Sequence, residues 1–155
     1  MIGNDVLRSV RFMLDVSDSG LCDIVRLGGG SLTPKHVTAL LKRDEEPGFV
    51  LCDATTLGQF LDGLVIHRRG PPPEGHTHAR EANVTNNTVL KKLRVAFELK
   101  EDDLVEMMKS AGFEVSRPEL SALFRKPDHR NFRPCGDQFL RNFLKALTAR
   151  VRRVP

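Results

Sequence analysis

Shifting the chain along itself by 83 residues, Asn4 onto Asn87, brings its two halves into register without a gap. This internal repeat constrains the fold more than any other feature. Asn4-Asp5-Val6-Leu7-Arg8-Ser9-Val10-Arg11 falls on Asn87-Thr88-Val89-Leu90-Lys91-Lys92-Leu93-Arg94. Leu21 meets Leu104, Gly29 meets Gly112, Ala39-Leu40 meets Ala122-Leu123, Phe49 meets Phe132 and Cys52 meets Cys135. Leu57, Phe60, Leu61 and Leu64 meet Leu140, Phe143, Leu144 and Leu147. Chance does not hold one register over such a span. The chain is read as helical repeat 1 over residues 1–69, a Pro/Gly-rich linker over 70–86, and helical repeat 2 over 87–155, whose C-terminal part is basic.

Each copy reads as four short helices, which makes the fold class all-α: a tandem duplication of a small four-helix unit. The first helix starts at Asn4 or Asn87, a good N-cap type. It carries Val6, Leu7, Val10 and Leu14, or Val89, Leu90, Leu93 and Phe97, at helical spacing. The second opens with acid in its first turn (Asp18; Glu101, Asp102, Asp103), which the helix dipole favours. It closes at Gly28-Gly29-Gly30 or Gly112, where a left-handed C-cap is wanted. The third begins at Thr33-Pro34 in one copy and at the capping box Ser116-Arg117-Pro118-Glu119 in the other. The fourth starts near Asp53 and Gly136 and bears the Leu/Phe stripe. No alternating stretch is long enough to demand a strand. A unit of this size sits near the lower limit for independent folding, so the copies are expected to pack together through leftover apolar surface.

Composition narrows the class of protein. A hydrophobic content of 40% is ordinary for a globular chain. Nine Phe with no Trp or Tyr give a core that needs no partner for a buried hydroxyl or indole. The N-terminal Met1-Ile2-Gly3-Asn4-Asp5 has neither the basic stretch nor the apolar run of a signal peptide, and no segment approaches the ~20 apolar residues of a membrane span. Cys22, Cys52 and Cys135 are odd in number, widely spaced and without a CxxC, so neither a disulfide framework nor a zinc knuckle is indicated. A cytoplasmic location and no membrane role are expected.

The string His129-Arg130-Asn131-Phe132-Arg133-Pro134-Cys135-Gly136-Asp137-Gln138-Phe139-Leu140-Arg141-Asn142-Phe143-Leu144 resembles the YehS-like family of small bacterial proteins (domain of unknown function 1456, as a tandem pair). So does the opening Asn4 to Arg11, and the resemblance covers essentially the whole chain. It implies no catalytic residue, cofactor or substrate, so a function has to be read from the residues.

Charge distribution is the most informative feature. Residues 1–69 hold eight Lys/Arg and nine Asp/Glu, residues 70–85 one and two, and residues 86–116 five and six. Residues 117–155 hold ten basic and three acidic residues, so the whole net charge of +4 originates there. The equivalent stretch of repeat 1, residues 34–72, is neutral with five of each. A basic face on a helix and its adjoining loop is the electrostatic footprint of phosphate binding. Arg117, Arg125, Lys126, Arg130, Arg133, Arg141 and Lys145 are the candidate nucleic-acid-binding residues. The plainer account is a solvated C-terminal helix whose cations complement its own dipole. Helices two and three of repeat 2, Leu104 to Gly112 and then Ser116 to Lys126, have a helix-turn-helix outline. The turn looks a residue or two long, and Met108 stands where Ala is usual. Only Phe could stack on unpaired bases, and only Phe49 and Phe132 lie off the apolar stripes.

The remaining motifs are weak. Cys135 follows His129 by six residues, which invites a nucleophile–base reading, but Glu46 occupies the position of His129 beside Cys52. His76 and His78 lie in the linker without further ligands. Gly28-Gly29-Gly30 lacks the Lys-Ser/Thr of a phosphate loop. Arg11 and Arg94, at matching places, are read as tying two helices through a carboxylate or carbonyls, with a repeated ligand site as the alternative. The expectation is a non-enzymatic helical binding protein with no cofactor or metal, whose basic C-terminal face meets nucleic acid. The alternatives are an adaptor using that face on an acidic protein, or a homo-oligomeric module with no nucleic-acid role.

Overall fold

The computed structural model describes residues 3–73 and 83–152. All regular structure among them is helical: α1 (Gly3–Leu14), α2 (Asp18–Leu27), α3 (Pro34–Leu41), α4 (Ala54–Arg69), α5 (Asn86–Ala96), α6 (Glu101–Ser110), α7 (Arg117–Phe124) and α8 (Asp137–Arg152). The chain forms two compact units that divide between Val84 and Thr85, with four helices in each. Most of the linker, including His76 and His78, and the terminal Arg153 lie outside the described residues.

Local chemistry fixes the helix ends. Thr33 accepts the His36 amide ahead of Pro34, and Ser116 and Glu119 form the reciprocal capping box. Gly29 and Gly112 take φ of +91° and +88°, the left-handed conformation that ends α2 and α6. Between the first two helices of each unit the same conformation falls on non-glycine residues, Asp15 and Glu98, both at φ +53°. These too are equivalent positions, so the duplication extends to a backbone feature that side-chain type does not signal.

The two cores match. In α4, Leu57, Phe60, Leu61 and Leu64 are 8%, 0%, 1% and 0% exposed; in α8, Leu140, Phe143, Leu144 and Leu147 are 1%, 1%, 3% and 0%. The fourth helix is therefore the central element of each unit, and each such side chain contributes roughly 1.5–3 kcal/mol by leaving water. The units differ in how closely helices two and four approach. A Cβ built on Gly63 would stand 1.7 Å from the Ile24 carbonyl oxygen, and one on Gly28 1.8 Å from that of Gln59. In repeat 2 these positions are Ala111 and Ala146, so α6 and α8 must keep a wider separation.

One expectation needs correcting. Asn4 and Asn87 are not N-caps: α1 already includes Gly3, and α5 begins at Asn86 behind Thr85, whose hydroxyl accepts the Thr88 amide. The Asn4 amide instead donates to the carbonyls of Leu40 (2.9 Å) and Val50 (2.8 Å), and its oxygen accepts the Cys52 N–H (2.8 Å). Asn87 does the same with Leu123 (2.9 Å), Arg133 (3.0 Å) and Cys135 (2.9 Å). Each Asn thus pins the end of the third helix and the loop before the fourth to the first helix. This satisfies backbone groups that no helix can satisfy.

Candidate nucleic-acid interface

The loop held by Asn87, residues 125–136, carries most of the candidate cations. Two successive turns shape it, His129 N–H to Lys126 O (2.9 Å) and Phe132 N–H to His129 O (2.9 Å). Arg133 N–H returns to Ala122 O (3.0 Å). The equivalent loop of repeat 1 has the same three bonds, Glu46 to Arg43, Phe49 to Glu46 and Val50 to Ala39. One backbone frame therefore carries two sets of side chains. In repeat 1 it presents Lys42, Arg43, Asp44, Glu45 and Glu46, with Pro47 and Val50 following. In repeat 2 it presents Arg125, Lys126, Asp128, Arg130 and Arg133. Phe132 and Phe49 are both half-buried in this shared frame, a structural placement.

The seven candidate residues are all exposed, but they are not equivalent. Arg117, at the start of α7, reaches Glu101 (3.3 Å) and Asp102 (2.5 Å) on the first turn of α6, so much of its charge is already answered. Arg150 on α8 is held by Asp103 (3.1 Å). The Lys100 amide first, and then Arg150, hold the Asp103 carboxyl below its usual range. Arg125 lies 3.3 Å from His129 Nε2. Lys126, Arg130, Arg133 and Lys145 meet no carboxylate among the described residues, and Arg141 shares its helix turn with Lys145. Lys145 stands where repeat 1 has Asp62, a reversal of charge on one scaffold.

The helix-turn-helix outline corresponds to α6 and α7, joined by residues 111–116. Two shallow clefts flank α7. One, of about 320 Å³, is lined by Arg94, Glu101, Leu120, Ser121, Phe124 and Arg125. The other, of about 430 Å³, is lined by Arg117, Pro118, Ser121, Ala122, Arg125 and Asn131. The sequence did not single out the first of these clefts. Its signals were the matching pair Arg11 and Arg94 and the candidate cation Arg125. Arg11 faces Asp18 at 3.4 Å, linking α1 to α2, whereas Arg94 donates from Nε to the Leu99 carbonyl (3.0 Å) and lies 4.7 Å over the Phe124 ring.

No hydrogen bond joins Cys135 to His129. Cys52 and Cys135 are buried and unpaired, and burial pushes both to about 11, with the neighbouring Asp53 and Asp137 adding to it. Cys135 Sγ donates to the Gly136 carbonyl (3.4 Å). His129 Nδ1 accepts the Asn131 amide (3.0 Å) and Nε2 faces Arg125, so neither ring nitrogen is directed to the sulfur. Among the described residues no group of His, Cys, Asp and Glu is placed to hold a metal ion, and no helix is long and apolar enough to cross a membrane.

The family model described as Protein of unknown function (DUF1456) matches twice, over residues 3–70 and 86–153. The uncharacterized protein YehS of Escherichia coli (strain K12) is 44% identical over 150 residues, covering 97% of this chain and 96% of its own length. No solved structure matches the chain significantly.

Proposed function

The chain belongs to the DUF1456 family, two family units in tandem, and from that premise we infer a non-enzymatic helical binding protein whose basic C-terminal face meets nucleic acid. The observation that carries this reading is the contrast between the two loops. The same backbone turns present exposed cations in repeat 2 and a near-neutral, partly acidic set in repeat 1. A duplicated scaffold needs no such change for stability, because exposed unpaired cations contribute little to it. Lys126, Arg130, Arg133 and Lys145, with Arg125 and Arg141 beside them, supply charge for phosphates, while Arg117 contributes less because α6 already holds it. The test is binding of duplex and single-stranded oligonucleotides as a function of salt. Phosphate contacts release condensed counterions, so affinity should fall linearly on a log–log plot. Binding that ignores salt, or none at low salt, overturns the reading.

A second reading, a homo-oligomeric module, is favoured by Leu27, Val50 and Leu51, large apolar side chains of repeat 1 that stand exposed. Contacts built on them would hold or strengthen as salt rises.

A further inference from the structure

The duplication permits a comparison within one chain. In repeat 1 the positions Arg11, Asp18, Thr38 and Lys42 face one another or the backbone, although Asp18 Oδ1 is buried without a hydrogen bond and meets Arg11 only as an ion pair. Asp18 faces Arg11 at 3.4 Å and accepts the Thr38 hydroxyl at 3.0 Å, and Lys42 donates to the Pro47 carbonyl at 2.7 Å. Their counterparts in repeat 2 are Arg94, Glu101, Ser121 and Arg125. There the carboxylate is drawn away, because Arg117, which replaces Pro34, takes Glu101 at 3.3 Å. Arg94 is left over the Phe124 ring, which replaces Leu41, and Ser121 has no hydrogen-bond partner among the described residues. The result is an open cleft of about 320 Å³ with two guanidinium groups, a hydroxyl and an apolar floor of Leu120 and Phe124, and with Glu101, held by Arg117, on its wall.

We propose that this cleft binds a phosphate group, held by Arg94, Arg125 and Ser121, with the attached organic part resting on Phe124. Arginine forks and a hydroxyl donor match phosphate oxygens, and an aromatic floor suits a planar substituent such as a nucleobase. Arg117 acts as a positioning residue: by holding Glu101 it keeps a like-charged carboxylate from pairing with Arg94 and closing the cleft. The site goes beyond the basic-loop reading, since of its three phosphate-holding residues only Arg125 belongs to both. The phosphate could be that of a free monoester or one within a nucleic-acid strand.

The test titrates the full-length chain with inorganic phosphate and adenosine monophosphate by calorimetry. Ser121→Asp, a change at a half-buried position outside the apolar core, should weaken adenosine monophosphate by about tenfold or more through like-charge repulsion. Glu101→Gln should strengthen it, and Arg117→Ala should weaken it with Glu101 present but far less in the Glu101→Gln background. If adenosine monophosphate fails to bind at millimolar concentration and strand binding is indifferent to Ser121→Asp, or if adenosine monophosphate binds with an affinity indifferent to Ser121→Asp and Glu101→Gln, the proposal is wrong. An oligonucleotide arm separates the sources. Loss of strand binding with Ser121→Asp assigns the cleft to a strand phosphate, and loss of the monoester alone assigns it to a free ligand. Arg130→Ala/Arg133→Ala, which should spare monoester binding, shows whether the basic-loop reading stands or falls on its own.

Discussion

Asn4 and Cys52, 48 residues apart, are joined by a hydrogen bond from the Cys52 amide to the Asn4 side-chain oxygen at 2.8 Å, and Asn87 receives Cys135 in the same way at 2.9 Å. The amide nitrogen of each Asn donates to two further carbonyls, so one side chain, buried at Asn4 and half-buried at Asn87, closes three backbone valences. The arrangement accounts for the matching loops, because the same three anchors set where the loop before the fourth helix must run.

The first prediction follows from that count. Asn4→Ala should destabilise by about 3 kcal/mol, because it strands two carbonyls and an amide away from water. Asn87→Ala should cost about 2 kcal/mol, since Asn87 is less completely buried. Urea midpoints measure both. A loss under about 0.5 kcal/mol at Asn4 would mean that water replaces the clamp.

Helix spacing gives a second. Gly63→Ala should destabilise by about 2 kcal/mol or more, because its Cβ would meet the Ile24 carbonyl, a backbone atom that cannot swing aside. The reciprocal Ala146→Gly should cost only about 1 kcal/mol of helix propensity. Equal effects would show that the close crossing of α2 and α4 contributes nothing.

The thiols supply a pH test. With Cys52 and Cys135 raised from 9.0 to about 11, the folded chain keeps their protons where the unfolded chain loses them. Unfolding is therefore favoured as pH rises, and the stability these groups contribute is complete below pH 9 and lost between about 9 and 11. Cys52→Ser/Cys135→Ser should flatten that decline in a series of denaturation curves. Near pH 8 both thiols should react with a disulfide reagent more slowly than free cysteine until the chain unfolds.

The last prediction concerns the basic loop. Arg130→Ala/Arg133→Ala should flatten the log–log salt slope of duplex binding by about 1.8, close to 0.9 per phosphate contact. Helical content should not change, because both side chains are exposed and Asn87 uses only the Arg133 carbonyl. Substituting Pro47 and Val50, the equivalents in repeat 1, should leave the slope alone. An unchanged slope in the first variant would move the contact elsewhere.

How much of this was legible in the sequence depends on the reach of the interaction. The repeat, the Leu/Phe stripes, the Thr33 and Ser116 caps and the Gly29 and Gly112 ends rest on partners within a turn or so along the chain. Residue spacing displays such partners directly. The run of cations was also plain, as composition. What the sequence misassigned was Asn4 and Asn87: a residue suited to capping was read as a cap, whereas its partners lie 36 to 48 residues away. Likewise, nothing in the order of residues says that Arg117 will take the carboxylate that Arg94 would otherwise meet, or that Gly63 will press on Ile24. Short-range preference sets where helices start and stop. Which polar groups are stranded, and so which side chain must reach them, is decided only once the packed helices have excluded water.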